Sequence, residues 1–363
     1  MTSSNAKGPG AERATALLAR VETLLPGIQA RAAALDAAAM FPAEDMEALR
    51  GAGLLSAALP EALGGLGAGT EPGGAGLILD LLRRCGRGNL AVARLFEAHV
   101  NALRLVVRFG APAQQRMAAE DALAGHLFGL WVTDPPGRPM LRAEGDRLAG
   151  AKGPCSGAGH CRRALVTAGP RMAVIELTGD EAVTPIVGLQ GMRAAANGTV
   201  ALDGVRVLFW LGEQGDYLRE PDFSCGAWRA SAAASGALDA LVDAVAEALR
   251  RKRWDEAPMQ QARFGEMLIA RETARLWTER AATAAETESD DPAARVATVN
   301  LARIAVETAC LDALRLAQRS LGLAAFVAPH PVERLARDLG TYLRQPAPDA
   351  VLLEAAAWHL SRG

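Results

Sequence analysis

The chain is poor in aromatic residues, which make up 4% of it, and in histidine, of which it has five. With so few rings, the core must be built from aliphatic side chains and the very abundant alanine, a composition suited to closely packed helices. No block of like charge stands out: 39 Lys and Arg face 41 Asp and Glu, for a formal net charge of −2. That balance argues against nucleic acid or an anionic membrane surface as the main partner. No run of about 18 apolar residues occurs, so nothing reads as a membrane span. The polar start, MTSSNAKGPGAER, has no apolar stretch of the kind a secretory signal carries. The five cysteines (Cys85, Cys155, Cys161, Cys225 and Cys310) are odd in number, form no CxxC and match no zinc spacing. A reduced, cytoplasmic chain without a metal is the expectation.

What is present is bulk and pattern. The 363 residues are half apolar, enough for two or three domains. Residues 1–10 read as a disordered tail. From Ala11 to about Leu59 the pattern is helical, with Leu17, Leu18, Val21, Leu24 and Leu25 at helical spacing. A glycine-rich loop, ALPEALGGLGAGTEPGGAG, follows a helix rather than a strand, which weakens a dinucleotide-binding reading. Helical pattern resumes from about Gly76 to Leu123. At Gly125 the texture changes to short runs rich in Val, Leu, Ile and Thr: 127–133, 163–168, 171–177, 184–189 and 199–210. This is antiparallel β texture, and the runs stand too close together for crossover helices. After Pro221 helices return. One runs from about Met259 to Glu286; the next starts at the capping pair Asp291-Pro292 and stops at Gly322. The expected boundaries are a helical domain over 11–125, a β domain over 126–215 and a helical bundle over 222–363.

The stretch GAKGPCSGAGH, residues 150–160, has four glycines and no long apolar side chain. Such a bare backbone can approach a flat or charged surface. It is not a phosphate loop, because Lys152 comes before the glycines it would have to follow.

Six segments, in order, resemble the acyl-CoA dehydrogenase family of flavoproteins: FPAEDMEALRGAGLLSAALPEALGGLG (41–67), LWVTDPPG (130–137), GAKGPCSGAGH, PIVGLQGMRAAANGTVALDGVRV (185–207), RKRWDEAPMQQ (251–261) and HPVERLARD (330–338). The resemblance spans about Phe41 to Leu360. It implies an α+β fold with an N-terminal helical domain, a middle antiparallel β-barrel or sandwich domain and a C-terminal helical bundle. It implies FAD, with FMN as the alternative, and a homodimer or homotetramer, because the matching nucleotide contacts come from two subunits. It places Ser156 where a hydroxyl reaches flavin N5, and Trp131, Val132 and Thr133 beside the ring. Lys152 stands at a family lysine position, which a solvated turn lysine explains equally well. Arg251, Gln261, Arg319 and Gly322 fall in segments that meet a partner subunit's nucleotide. Trp254, Asp255, Arg319 and Leu323 depart from the family pattern there.

The family's catalytic carboxylate is not in its usual place. Counting from Arg337-Asp338 puts Pro346 at that position, with Gln345 beside it, and 224–236 on the next helix holds no acid. Asp349 reads as a surface helix-capping residue. Two functions are therefore expected to compete: oxidation of an acyl thioester, and the flavin monooxygenase or oxidase chemistry of a related branch on a small organic substrate. An electron acceptor or a flavin reductase would serve as redox partner. A catalytically idle flavin- or acyl-binding relative is a third reading. For the monooxygenase branch His99, on the fourth helix, is the catalytic candidate.

Overall fold

The computed structural model describes residues 9–287 and 291–362. Most of the expected tail, residues 1–8, lies outside the described residues, and Pro9 and Gly10 already belong to the first helix. The N-terminal region is α1 (Pro9–Ala38), α2 (Ala43–Gly51), α3 (Ala75–Gly88), α4 (Leu90–Phe109) and α5 (Pro112–Leu123). Leu17, Val21, Leu25 and Ile28 form the buried stripe of α1. The helical pattern over 76–123 is three helices. Asn89 breaks the first from the second and caps α4, its side chain accepting from the Ala91 N–H at 3.0 Å.

The middle region holds β1 (Phe128–Trp131), β2 (Arg142–Glu144), β3 (Arg147–Ala149), β4 (Ala151–Cys155), β5 (Arg163–Ala168), β6 (Arg171–Glu176), β7 (Val183–Pro185), β8 (Gly198–Ala201) and β9 (Val207–Leu211). They form a sheet of order β1-β5-β6-β9, a sheet of order β4-β8-β7 and the β2-β3 ribbon. One expectation needs correcting: β1 pairs with β5 in parallel, Phe128 opposite Arg163. The intervening chain is long enough for a crossover, and strands β2 to β4 supply it instead of a helix.

The C-terminal region is α6 (Trp228–Arg251), α7 (Pro258–Glu286), α8 (Pro292–Leu321), α9 (Pro331–Tyr342) and α10 (Pro348–Leu360). Asp291 caps α8, its carboxylate accepting from the Ala294 N–H at 3.0 Å. α3 and α6 touch through glycine: a Cβ on Gly236 would lie 1.9 Å from the Arg83 carbonyl oxygen, and one on Gly86 2.1 Å from that of Ala233. The Arg83–Asp239 pair, bonded at 2.7 and 3.0 Å, closes the same contact.

The short α9 is fixed by its neighbours. Asp338 accepts from the Met192 N–H at 2.7 Å. Arg337 pairs with Glu333 and with Asp36 of α1, and donates to the Gln190 carbonyl. Gly191 lies so close that a Cβ there would stand 2.0 Å from the Arg337 carbonyl. The Arg337-Asp338 pair thus clamps α9 to the β domain and sets where Tyr342 ends up.

Candidate functional site

A cavity of about 510 Å³ lies where β1, α4, the start of α6, α8 and the α9–α10 turn meet. Leu105, Phe109, Leu130, Met172, Val306 and Leu343 give it apolar wall. Four arginines and three carboxylates also line it: Arg104, Arg108, Arg229 and Arg303 with Glu97, Asp222 and Glu307.

The polar wall comes mainly from α4. Arg94, Glu97, Asn101, Arg104 and Arg108 recur at three- and four-residue spacing, one face of a helix otherwise buried. They join a chain of hydrogen bonds. Arg94 Nε donates to Ser156 Oγ at 3.3 Å, and its guanidinium pairs with Glu97. Asn101 Nδ2 donates to Glu97 Oε1 at 2.6 Å, and Arg229 Nε donates to Asn101 Oδ1. Asp222 is shared by Arg108 at 3.0 Å and Arg104 at 3.6 Å, and Glu307 pairs with Arg344. This stripe escaped the sequence reading. Its signal was legible: charges three and four apart inside the apolar run LAVARLFEAHVNALRLVVRF.

The β side of the site is an edge held from below. Val132 lines the cavity and is 48% exposed. Lys152 is not a solvated turn lysine. It is 1% exposed, and its ammonium donates to Asp134 at 2.6 Å, to Thr167 Oγ1 at 2.7 Å and to the Val132 carbonyl at 3.3 Å. Thr133, itself exposed, accepts from the Gly153 N–H at 3.0 Å through its carbonyl. Trp131 is buried, and its indole N–H donates to the Ser156 carbonyl at 3.0 Å. Trp131, Val132, Thr133 and Ser156 are thus gathered into one corner.

His99 points elsewhere. It is fully buried, Nδ1 accepting from the Phe128 N–H at 3.1 Å and Nε2 bonded to the Leu55 carbonyl at 2.7 Å. These partners fix the Nε2–H tautomer and occupy both nitrogens. Burial pushes its pKa down to about 4. The ring ties α4 to β1 and leaves no free position for a substrate.

Residues 15–126 match the acyl-CoA dehydrogenase N-terminal domain, and residues 226–344 match the acyl-CoA dehydrogenase C-terminal domain. The chain belongs to the acyl-CoA dehydrogenase family. No curated protein sequence matches it. Among solved structures it is similar to dibenzothiophene monooxygenase TdsC from Paenibacillus sp. A11-2, at 18% identity and a TM-score of 0.81, covering 96% of this chain and 97% of that one. It is similar to butyryl-CoA dehydrogenase from Megasphaera elsdenii, at 17% identity and a TM-score of 0.81, covering 99% and 100%. It is also similar to KijD3 in complex with FMN and a dTDP-linked amino-keto sugar, at 22% identity and a TM-score of 0.81, covering 97% and 94%. At these identities the likeness is one of fold.

An acyl-CoA dehydrogenase family member calls for a flavin, and the residues can be tested for it. The cavity is in the size range of small-molecule sites, and it reaches the exposed edge at Val132. Those features fit a flat ring. Ser156 is half-buried, but its proton goes to Asn197 Oδ1 at 3.0 Å, and Asn197 is held that way round by donating to the Met192 carbonyl at 2.9 Å. For the hydroxyl to donate to a ring nitrogen, the Asn197 bond must give way. The cation beside that corner is Arg94, which is paired with Glu97.

The family's usual base position is also on the cavity wall, as Gln345 and Pro346. Asp349 is exposed in the first turn of α10. The remaining family positions lie apart. Arg251 is on the same helix as Arg229 but about 33 Å further along it, at 1.5 Å per residue. Gln261 is exposed and closes its own loop, donating to the Asp255 carbonyl at 3.0 Å. Arg319 and Gly322 are exposed at the end of α8. Gln260 donates to the Ser320 carbonyl there at 3.1 Å, so the start of α7 and the end of α8 lie together. The five cysteines are free and buried, and burial pushes the Cys85 and Cys161 thiols up to about 12. Among the described residues, no helix is long and apolar enough to cross a membrane.

Proposed function

We propose that the protein is a flavin-dependent oxidoreductase of the monooxygenase or oxidase kind, acting on a small organic substrate in the α4–α6 cavity. The observation that carries this is the state of the acids. Oxidation of an acyl thioester needs a carboxylate free to take the α-proton. Gln345 and Pro346 take no proton, and each carboxylate on the wall is engaged: Glu97 by Arg94 and Asn101, Asp222 by Arg104 and Arg108, Glu307 by Arg344. Oxidation of an acyl thioester, the other chemistry of this fold, is therefore the weaker reading. TdsC, a monooxygenase with an FMN-bound structure, shares the fold and supports this choice.

The flavin, when bound, supplies two-electron redox chemistry. The chain supplies place and field. Lys152 and Thr167 fix the Val132–Asp134 edge along which a ring would lie. Arg94 holds a cation at the Ser156 corner, where it favours negative charge developing on a ligand. Leu105, Phe109, Leu130 and Met172 keep the wall dry. Arg251, Gln261, Arg319 and Gly322 form a second surface, which would meet the nucleotide part of a partner subunit's FAD. If FMN is bound instead, that surface has no nucleotide to meet.

The test is anaerobic spectroscopy of the native yellow protein, with its flavin identified by chromatography. Reduction by dithionite or a separate flavin reductase, no bleaching by acyl-CoA of any chain length, and an oxygen-dependent near-ultraviolet transient are the expected results. Bleaching of the flavin by an acyl-CoA would overturn the proposal in favour of dehydrogenation.

A further inference from the structure

Arg229 is placed where stability alone would not put it. It is 3% exposed, and among the described residues no carboxylate hydrogen-bonds to it. Its one hydrogen-bond partner is the neutral amide of Asn101, and its buried Nη1 has none. It stands in the first turn of α6, where the helix dipole already carries positive charge and disfavours a cation. Arg104 lies close enough to add repulsion, and its Nη1 is also buried without a partner. Burial first, and Arg104 second, push the Arg229 pKa down to about 9. Glu286 is near both arginines but bonds to neither; its Oε2 accepts from the Ala75 N–H at 2.9 Å. Two guanidinium edges therefore line a largely apolar cavity, each with an N–H group left unmet.

We propose that Arg229 and Arg104 form the receptor for a carboxylate, so that the substrate is a free organic acid with an apolar body rather than a neutral compound. A guanidinium fork matches a carboxylate by two parallel hydrogen bonds. A bound anion would meet the two guanidinium groups on the cavity wall, offset the Arg229–Arg104 repulsion and lie at the favourable end of α6. The apolar body would pack on Leu105, Phe109, Met172 and Val306. This inference rests on the cavity's being the substrate site.

The test is calorimetric titration of the native protein with hexanoate, octanoate and 4-phenylbutanoate, each against its neutral amide. The acids are expected to bind at least about tenfold more tightly than the amides, the worth of one charge-assisted hydrogen bond. In Arg229→Met that preference is expected to vanish while amide binding persists, and Arg229→Lys is expected to recover part of it. Melting curves of the ligand-free variants check the fold: Arg229→Met should melt no lower than the parent, since it removes an unpaired buried charge. Equal binding of acids and amides, no binding of either, or a preference that survives Arg229→Met would each overturn the proposal. Flavin content, read from visible absorbance on the same samples, separates the two readings. Acid preference in a colourless protein would sink the cofactor and leave the carboxylate receptor standing. A yellow protein without the preference would do the reverse.

Discussion

Lys152 sits beneath the edge at 132–134, donating to it at the Asp134 carboxylate and the Val132 carbonyl and to Thr167 beside it, so one ammonium ties the edge to β5. Lys152→Met would leave Asp134 without its cation and Thr167 Oγ1 without its donor, while the Val132 carbonyl keeps the Thr167 hydroxyl. Breaking such a pair costs about 3 kcal/mol. Urea unfolding should show that loss, and flavin retention after gel filtration should fall with it; unchanged retention would mean the edge holds itself. His99 makes a pH prediction. Its pKa is depressed from 6.5 to about 4 on folding, so the unfolded chain takes up a proton before the folded one does. Its contribution is fully present above pH 6.5 and is lost as pH falls from there through 4, on the order of 3 kcal/mol in all. Stability curves of the parent and His99→Gln should converge toward pH 4, with the acid slope flatter in the variant. Parallel curves would show that another group governs acid unfolding.

At the scale of elements, α9 is the part whose position the site depends on most, because Tyr342 at its end forms cavity wall. Its docking needs the bare backbone of Gly191. Gly191→Ala would push a methyl to 2.0 Å from the Arg337 carbonyl, and neither partner is a flexible side-chain tip. A loss of about 2–3 kcal/mol, typical of overpacking, is expected from thermal or urea unfolding. Weaker binding of cavity ligands should accompany it. A variant as stable as the parent, with unchanged affinity, would show that α9 can shift without consequence. The elements also show what a sequence discloses. β5 was bounded correctly at both ends, because RALVTA is short, β-branched and flanked by breakers, and the Asp291-Pro292 start of α8 follows from cap chemistry. β2, β3 and β4 were hidden, since RAE, RLA and AKGPC carry no period-two pattern; β2 and β3 pair with each other, and the partner of β4, β8, lies far along the chain. The stripe on α4 needed only a helical wheel, but its meaning needed α6 and the β domain placed around it. Lys152 was left between the family position and a solvated turn because nothing local reveals that Asp134 and Thr167 converge on it.

At the scale of the molecule, the candidate flavin residues fall into two groups, one at the cavity and one on the surface shared by Arg251, Gln261, Arg319 and Gly322. The order of helices, strands and helices was legible from texture and from the family motifs. The resemblance implied that the second group meets a partner subunit; its distance along α6, about 33 Å from Arg229 to Arg251, was not legible without the helix's course. If the second group meets a neighbour's nucleotide, Arg251→Glu should lower flavin content severalfold while the melting temperature of the flavin-free protein is unchanged. Light scattering should find a dimer or tetramer. A monomer that holds its flavin fully would contradict the assignment. α6 carries Arg229 at one end and Arg251 at the other, so each such rod would serve two active centres in different subunits. A chain damaged at Arg251 and a chain damaged at Arg229, each impaired alone, would then partly rescue one another when coexpressed: every mixed pair assembles one intact centre from the sound end of each rod and one centre with both ends spoiled.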